Sequence, residues 1–348
     1  MALWVVPVSD LAGVARHVLD VAAVGVPGHR LVVLCPPGPL AERLRDAGAA
    51  VSTAPVGPGD GVRESVAAVR HAVGALRPAV VHSHLSWADV VTAAATVGSR
   101  AALVSTEHGI ADDDLVYHGT AWRSRLKEAL HTARLRRADA VVAVSAATAR
   151  SVRAKWHPGP RTIVRVVPNG VDRVERPARP PGLHVVSVAR LAPEKRVEAA
   201  VRAFAVLHER RPEARLTVAG TGDGEAALRS LVAERGLGDV VDLVGHVDAP
   251  GLLARADVLV QLSVWENCSY SLLDALAHGC GAVATDVGGN GEILPASALV
   301  AHDDPAAVAD EIERQGLDPA TRPRLAAAWP TRQEMCERLA AVYAEVGA

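Results

Sequence analysis

The chain of 348 residues has a net charge of −2, which does not favour nucleic acid as its main ligand, and an apolar fraction of 49%, which is sufficient for large cores. Its four cysteines are scattered without a Cys-x-x-Cys pair, which argues against a disulfide framework or a zinc ribbon and favours a reducing, cytoplasmic environment. No apolar run approaches the length of a membrane span, and the first residues, which lack a basic region, predict a strand and not a signal peptide.

Short apolar runs alternate with longer amphipathic stretches along the chain. The predicted strands are, in chain order, Leu31–Cys35, Ala79–His82, Ala102–Ser105, Ala140–Val144, Ile163–Val167, His184–Val188, Arg215–Ala219, Val241–Val244, Asp257–Gln261 and Gly281–Thr285. The helices predicted between them include Val62–Leu76, Ala121–Arg137, Glu198–Glu209 and Glu225–Arg235. This alternation predicts an α/β protein with parallel sheets that are covered on both faces.

A proline-rich segment divides the chain into two halves. Residues 173–182 read Arg-Val-Glu-Arg-Pro-Ala-Arg-Pro-Pro-Gly, which neither a helix nor a strand would hold. We therefore predict an N-terminal domain at residues 1–172, a linker at 173–182 and a C-terminal domain at 183–322. Ligands of open parallel sheets bind at the carboxyl ends of the strands, so two such sheets facing each other predict a cleft as the active site.

Two features of the N-terminal half follow predicted strands. Residues 12–18, Ala-Gly-Val-Ala-Arg-His-Val, follow the first strand, and the backbone at Gly13 is suited to approach a ligand; a plain strand-to-helix turn is the alternative. His82 and His84 end another strand. A metal site would need further ligands, and none is close in sequence, so a packed histidine pair is favoured.

A histidine and three acids follow the strand at 102–105. His108 stands in Thr-Glu-His-Gly, where a capping histidine in a loop is the alternative to a functional role. Asp112, Asp113 and Asp114 are typical of a solvated loop, but if that loop lines a pocket they would attract a cationic ligand. The basic helix at 121–137 is compatible with contact to a membrane surface, yet interruptions by apolar and acidic residues favour an ordinary solvated face.

Two cations follow the predicted strand His184–Val188. Arg190 and Lys195 are five residues apart, and Lys195 is one of only three lysines in the chain. Such residues are commonly plain surface cations. The helix macrodipole disfavours them at a helix N-terminus, however, so that a bound anion would resolve the conflict. Fixed cations at a strand end suit a diphosphate.

Two carboxylates, Glu266 and Asp274, are eight residues apart at the start of another predicted helix. On a helix this spacing corresponds to about two turns, which would let one carboxylate contact a sugar and the other a ribose, with phosphates at the helix N-terminus. Capping by Ser269 or Ser271 and the preference for acids in a first turn form the alternative, which accounts for only one of the two carboxylates.

Two glycine-rich segments accompany these residues. Gly288-Gly-Asn-Gly-Glu292 is by itself typical of a turn. Gly220-Thr-Gly-Asp-Gly224 lacks the spacing of a dinucleotide-binding fingerprint and is interpreted as a turn.

Together these motifs resemble the nucleotide-sugar half of the family 4 retaining glycosyltransferases, and the elements at 12–18, 106–109 and 323–348 extend the resemblance over nearly the whole chain. The family's Glu-x7-Glu pattern appears with Asp274 as the second acid, Asn267 stands where the family usually has Gly, and Ala12 replaces the first Gly of a Gly-Gly loop. The resemblance implies a GT-B fold, in which two doubly wound, Rossmann-like domains face each other across a cleft. It also implies that the C-terminal helix, within 323–348, crosses back to the N-terminal domain.

The resemblance further implies roles for individual residues. Arg190 and Lys195 would neutralise the diphosphate, Glu266 would hold sugar hydroxyls, and His108 would lie near the sugar and the acceptor, and these four are the expected catalytic residues. The expected donor-binding residues are Gly13, Arg190, Lys195, Asn267, Cys268, Ser269 and Asp274, the last at the ribose. The expected acceptor-binding residues are His108, Asp112, Asp113 and Asp114. No metal or other cofactor is expected, because two cations and a helix N-terminus supply the positive charge.

The expected activity is the transfer, with retention of configuration, of GlcNAc or glucose from a nucleotide diphosphate, most commonly UDP in such proteins, to the hydroxyl of a small polar acceptor. The acids after His108 favour an acceptor that carries amines, such as an aminocyclitol in antibiotic biosynthesis. The alternatives are a nucleotide-sugar epimerase of the same fold, an inactive sugar-nucleotide binder, and a transferase for a lipid-linked or cell-envelope glycan. An epimerase would convert the donor without any acceptor.

Overall fold

The computed structural model describes residues 1–109, 121–174 and 180–348, and within the helix that begins at Ala121 it describes the side chains from residue 129 onward. The chain forms two compact units. Unit 1 comprises Met1–Gly170 and Pro330–Ala348, and unit 2 comprises Val171–Trp329. Within the described ranges, no helix combines the length and the apolar character that a membrane span requires.

Unit 1 is built on a parallel sheet of seven strands in the order β3-β2-β1-β4-β5-β6-β7. The strands are β1 Ala2–Val5, β2 Leu31–Cys35, β3 Val51–Thr53, β4 Val80–His84, β5 Ala102–Glu107, β6 Ala140–Ala143 and β7 Ile163–Val166. The helices that connect them are α1 Gly13–Val24, α2 Pro39–Asp46, α3 Val62–Leu76, α4 Leu85–Ala95, α5 Ala121–Arg137 and α6 Ala146–Trp156.

Apolar cores cover both faces of this sheet. Side chains alternate along a strand, so Trp4 of β1 points into a core on one face while Leu3 and Val5 point into a core on the other. All four residues of β1 are buried, as expected for a central strand of a parallel sheet.

Unit 2 is built on a parallel sheet of six strands in the order β10-β9-β8-β11-β12-β13. The strands are β8 His184–Val188, β9 Arg215–Ala219, β10 Val241–Gly245, β11 Val258–Gln261, β12 Gly281–Thr285 and β13 Leu299–Val300. The helices are α7 Val197–Arg210, α8 Glu225–Glu234, α9 Ala249–Leu253, α10 Tyr270–Ala277, α11 Asn290–Ile293 and α12 Pro305–Leu317.

The last helix, α13 (Arg332–Glu345), packs in unit 1. Thr331 caps it, since its hydroxyl accepts from the backbone N–H of Glu334 at 3.2 Å while the Glu334 carboxylate accepts from the backbone N–H of Thr331 at 2.7 Å. Farther along the helix, the Tyr343 hydroxyl accepts a hydrogen bond of 2.8 Å from Nε1 of Trp4. The C-terminal helix therefore joins the core of the first half of the chain.

Both boundaries between the two units differ from the predicted domain boundaries by a few residues. Val171 already packs in a core of unit 2, and so does Trp329, which the sequence places in the C-terminal segment. Nη2 of Arg173 donates to the carbonyl of Ala326 at 2.7 Å, which fixes the stretch before Pro330 within unit 2. The second boundary therefore falls between residues 329 and 330 and not after residue 322, because Trp329 is buried in a core of unit 2 and Leu325 packs against that core.

The predicted strands and helices are confirmed to within one or two residues at each end. The sequence reading leaves out β3 and β13, which have three and two residues. Such short segments are too brief to show a periodic pattern.

Candidate functional site

The loop that follows β8 carries both predicted cations. Arg190 comes two residues after the strand, and Lys195 ends a 3-10 turn, Pro193–Lys195, just before α7. Nη2 of Arg190 lies 2.7 Å from Oε1 of Glu194; the Glu194 side chain is buried, whereas 60% of the Arg190 side chain is exposed. Arg190 is therefore an exposed cation that is anchored to a buried carboxylate.

Lys195 forms an ion pair with Glu266. Its Nζ donates to Oε1 of Glu266 at 2.5 Å, and Oγ of Ser263 donates to the same oxygen at 2.8 Å. The Lys195 and Glu266 side chains are only 16% and 10% exposed, and Nζ lies 5.7 Å from the centre of the Trp265 ring. Because both charges are largely removed from water, they depend on these partners for stability.

Backbone contacts hold three loops around this ion pair. The N–H of Val264 donates to the carbonyl of Glu194 at 2.8 Å, and that of Gly289 donates to the carbonyl of Glu266 at 3.1 Å. Gly288 has a φ of +53°, and a Cβ there would lie 1.7 Å from the carbonyl oxygen of Glu266. Only glycine fits this position. The glycine-rich segment after β12 therefore supports Glu266 through its backbone.

A second glycine turn lies against the loop that carries the cations. The N–H of Leu191 donates to the carbonyl of Thr221 at 2.9 Å. A Cβ at Gly220 would lie 1.8 Å from the carbonyl oxygen of Ala189, and one at Gly222 would lie 2.5 Å from that of Leu191. The interpretation of this segment as a turn is confirmed, and its glycines allow the two backbones to approach closely.

Helix α10 begins directly after its N-cap, Ser269. Oγ of Ser269 accepts from the N–H of Leu272 at 3.3 Å and from Nε2 of Gln261 at 2.8 Å. Glu266 lies in the loop before this cap, so the expectation that Glu266 and Asp274 lie two turns apart along one helix is wrong. Asp274 lies within the helix and is buried.

The other predicted donor-binding residues lie in the segment that leads into α10. Asn267 and Ser269 are buried, and Cys268 is half-buried. Oγ of Ser271 donates to the carbonyl of Val188 at 3.0 Å, which ties the first turn of α10 to the end of β8. The fold of unit 2 therefore brings the helix N-terminus next to the strand that precedes the cations.

A cavity of about 460 Å³ opens beside these loops. Ser263, which donates to Glu266, contributes to its wall together with Arg196, Thr285 and Asp286. The volume falls within the range of small-molecule sites, roughly 300–1,000 Å³. The cavity thus reaches the side chain that fixes Glu266.

In unit 1, Gly13 is the exposed first residue of α1. Ala12 precedes it as the N-cap and supplies no side-chain hydrogen bond, and a Cβ at Gly13 would meet nothing within 4 Å. No contact with the described residues therefore requires a glycine here. A helix N-terminus without a side-chain cap favours an anion.

His108 belongs to a histidine cluster in unit 1. It follows β5, His17 lies on α1, and His82 and His84 lie on β4. Nδ1 of His84 is 2.9 Å from Nε2 of His108, and the ring centres of His17 and His108 are 4.9 Å apart. His82 and His84 stack with ring centres 4.7 Å apart, so the predicted packed pair is confirmed.

The cluster offers more than that pair. One ring nitrogen each from His17, His84 and His108 lies within 4.8 Å of the others, a spacing that could hold a metal ion. These further ligands come from distant parts of the chain, where sequence spacing does not reveal them.

Burial lowers the pKa values of all four histidines. Desolvation lowers the pKa of His17 to about 4, although its hydrogen bond to Asn169 opposes the change. Desolvation, followed by repulsion from neighbouring histidines, holds the pKa values of His82, His84 and His108 well below the ordinary range. The imidazoles are therefore neutral at pH 7.

Glu107, the residue before His108, belongs to a buried network of charged side chains. Nη1 of Arg134 lies 2.7 Å from Oε1 of Glu107 and also pairs with Asp89, which accepts from Oγ of Ser83. All of these side chains are nearly inaccessible to solvent. The network fixes the end of β5 and thereby the backbone that carries the histidine.

Asp112, Asp113 and Asp114, the predicted acceptor-binding acids, lie outside the described residues. The sequence did not identify Glu194 and Ser263 as partners of the cation site, or His17 as a member of the histidine cluster. A polar residue at a strand end was the available signal for Ser263, which follows β11, but nothing in the spacing identifies its partner.

Family comparisons match both halves of the chain. Residues 11–175 match the model described as Glycosyltransferase Family 4, and residues 182–315 match the one described as Glycosyl transferases group 1. Glycogen synthase of Mycobacterium tuberculosis is 28% identical over 84% of this chain and 79% of that protein. D-inositol 3-phosphate glycosyltransferase of Pseudarthrobacter chlorophenolicus is 34% identical over 46% of this chain and 43% of that protein.

A similar solved structure is that of Anabaena HepE in complex with UDP and glucose. It has a TM-score of 0.81 and 19% sequence identity and covers 99% of each chain. The fold of two parallel-sheet, Rossmann-like domains is therefore that of GT-B proteins.

The neutral histidines predict a pH-dependent stability of unit 1. In the unfolded chain a histidine binds a proton near pH 6.5, whereas folded His17 does so only near pH 4. Between these values the unfolded state holds more protons, so stability falls as the pH falls, by about 1.4 kcal/mol per pH unit for each such histidine. Urea unfolding at several pH values, in the presence of a chelator, measures this slope.

The control variant is His71→Gln, which changes an exposed histidine of the same unit and is expected to keep the wild-type slope. His17→Gln is expected to reduce the slope. An unchanged slope in His17→Gln would contradict the lowered pKa of His17.

Proposed function

Because the chain belongs to the family 4 glycosyltransferases, we propose that it transfers a sugar from UDP to a hydroxyl of a small polar acceptor with retention of configuration. The protein is a glycosyltransferase that uses nucleotide sugars. The observation that carries the finer proposal is the Lys195–Glu266 ion pair, beside which Arg190 is held by Glu194. With Arg190, this pair places two cations and a carboxylate at the carboxyl end of one parallel sheet, where ligands of such sheets bind.

In the proposed complex the donor diphosphate takes the place of the internal carboxylates. Arg190 and Lys195 turn from Glu194 and Glu266 towards the phosphates, which attract them more strongly because a diphosphate carries more charge. Glu266 is then free to accept hydrogen bonds from sugar hydroxyls, while Ser263 keeps its hydrogen bond to one carboxylate oxygen. The internal pairs hold the side chains near their working positions before the donor arrives.

The proposed chemistry needs no protein nucleophile. As the bond from the sugar to the diphosphate breaks, negative charge grows on the phosphate oxygens and the two cations stabilise it. A phosphate oxygen takes the proton of the acceptor hydroxyl, which attacks from the same face of the sugar. Attack on that face gives retention.

The proposed donor is a UDP-sugar carrying glucose or GlcNAc. Support comes from Anabaena HepE, a protein of the same fold whose structure contains UDP and glucose. Asp274, buried within α10, is proposed to bind the ribose, and the N-terminus of that helix is proposed to bind phosphate.

The proposed acceptor is a small polyhydroxylated molecule that carries amines, such as an aminocyclitol. Asp112, Asp113 and Asp114 follow His108 closely in sequence and would attract cationic groups. A relative with 34% identity over part of the chain is named for D-inositol 3-phosphate, a phosphorylated cyclitol, which supports the cyclitol ring of the proposed acceptor but not its amines.

Removal of either cation is expected to lower the rate of sugar transfer. Lys195→Ala and Arg190→Ala should each reduce kcat by ~10²–10³, because each removes a donor to charge that grows in the transition state. Steady-state kinetics with UDP-glucose and UDP-GlcNAc measure the loss.

The matched control for Arg190 is Arg229→Ala. Arg229 is also an exposed arginine, with 58% of its side chain accessible, and it also pairs at 2.7 Å with a carboxylate four residues away. Near-wild-type turnover in both Lys195→Ala and Arg190→Ala would disprove the proposed role of the cations.

Substitutions of Glu266 and Asp274 are expected to have different effects on the affinity for UDP. Glu266→Gln should abolish most transfer while UDP binds at least as tightly as before, since Lys195 loses the carboxylate that competes with the phosphate. Asp274→Asn should weaken UDP itself, since it alters the ribose contact. Calorimetric titration with UDP measures both, and the opposite pattern would exchange the two roles.

Neutralising the three acids tests the acceptor. The variant in which Asp112, Asp113 and Asp114 are all replaced by Asn should raise the KM for an aminocyclitol acceptor at low salt and less so at high salt, because salt screens exposed charges. Donor hydrolysis without acceptor serves as the control. An unchanged KM at both salt concentrations would mean that the acids do not select the acceptor.

A further inference from the structure

Three histidines from separate elements of unit 1 converge on one point. His17 comes from α1, His84 from the end of β4 and His108 from the residue after β5. One ring nitrogen of each lies within 4.8 Å of the other two. Imidazole nitrogen is a common ligand of zinc and of other transition metal ions.

One pair of nitrogens in this group is hydrogen-bonded, at a distance slightly shorter than that between two ligands of one ion. Nδ1 of His84 and Nε2 of His108 are 2.9 Å apart. Zinc–nitrogen bonds of about 2.0–2.1 Å in a tetrahedron place neighbouring ligand nitrogens about 3.3 Å apart. A small adjustment of the two rings therefore suffices to seat an ion between them.

Two buried ring nitrogens of this group lack hydrogen bonds. Within the part of the chain that the structure describes, Nε2 of His17 and Nε2 of His84 have no hydrogen-bond partner, although the two residues are only 1% and 0% exposed. Buried polar atoms nearly always have a partner, and one without a partner requires an explanation. A metal ion would provide it for His17.

The other nitrogen of His17 is held in the way that metal-binding histidines usually are. Nδ1 of His17 lies 3.2 Å from the side-chain oxygen of Asn169. A donor N–H on Nδ1 leaves the lone pair of the ring on Nε2. Contacts of this kind fix the tautomer and the orientation of a ligand.

The surrounding side chains fix the three rings in place. Trp4 stacks on His17 with ring centres 5.7 Å apart and contacts His84 at 4.3 Å. His82 stacks on His84, but both of its nitrogens are occupied, one by Tyr343 at 2.6 Å and the other by Thr106 at 2.7 Å. His82 therefore packs beside the three histidines and is not itself a ligand.

We propose that His17, His84 and His108 bind one transition metal ion of the zinc class. The three ligands are all nitrogen atoms, which favours zinc or cobalt over magnesium or calcium, which prefer oxygen ligands. Three protein ligands leave one position of a tetrahedron for water or for another small ligand.

The test uses the full chain without a polyhistidine tag. After dialysis against a chelator, the protein is titrated with zinc chloride by calorimetry, and bound metal is counted by mass spectrometry after gel filtration. We expect one zinc ion per chain. Cobalt chloride is expected to give the visible absorption of a tetrahedral nitrogen-ligated ion.

Substitutions identify the ligands. His17→Gln and His108→Gln should each remove most of the affinity, and Asn169→Ala, which leaves the three ligands but removes the partner of His17, should weaken binding roughly 10–100-fold. His71→Gln, at an exposed histidine of the same unit, is the control and should bind zinc like the wild type. Circular dichroism and UDP titration verify that each variant is folded.

The proposal is overturned if the wild-type chain binds no zinc, or if His17→Gln and His108→Gln, both folded, bind it as tightly as His71→Gln does. Cobalt that is bound with only the weak absorption of an octahedral ion would also overturn it. None of these measurements depends on sugar transfer.

Discussion

The carboxylate of Glu266 is the constraint on which the candidate donor site depends. Its side chain accepts hydrogen bonds from Lys195 and Ser263, and its backbone carbonyl accepts one from Gly289. Three loops, after β8, β11 and β12, therefore meet at one largely buried residue. Removing one partner of a buried ion pair typically costs about 3–5 kcal/mol, because the remaining charge stays buried without compensation. The loops are thus fixed relative to one another.

This arrangement changes how the cations of the site should be understood. From the sequence, a bound anion seemed necessary to balance Arg190 and Lys195 at a helix N-terminus. In the folded chain, Glu194 and Glu266 supply that negative charge. The protein therefore holds both cations in place without a ligand, and the diphosphate of the proposed complex would compete with two internal carboxylates. Such competition lowers affinity, but it keeps the cations oriented.

Unit 1 handles its polar residues differently. The histidines of its cluster, His17, His82, His84 and His108, are largely buried and have no carboxylate partner among the described residues, so they remain neutral, and Trp4, Tyr343 and Asn169 orient three of the rings. Three buried charged residues of unit 1, Asp89, Glu107 and Arg134, are instead paired with each other. The clustered histidines are buried in their neutral form, whereas the buried acids and Arg134 are charged and neutralise one another. Both arrangements reduce the free-energy cost of burying polar groups.

The sequence by itself determined the architecture and indicated the residues of the candidate donor site. Alternating strands and helices specify parallel sheets because the apolar period is local, and Arg190, Lys195 and Glu266 are recognisable because their spacing along the chain is fixed by short loops. Only the tertiary structure decided which side chains meet. Examples are the hydrogen bond from Ser263 to Glu266, the packing of Gly288 against the Glu266 carbonyl, and the convergence of the three histidines. A periodic pattern carries no information about such partners, since register and loop geometry set them through packing of the whole core.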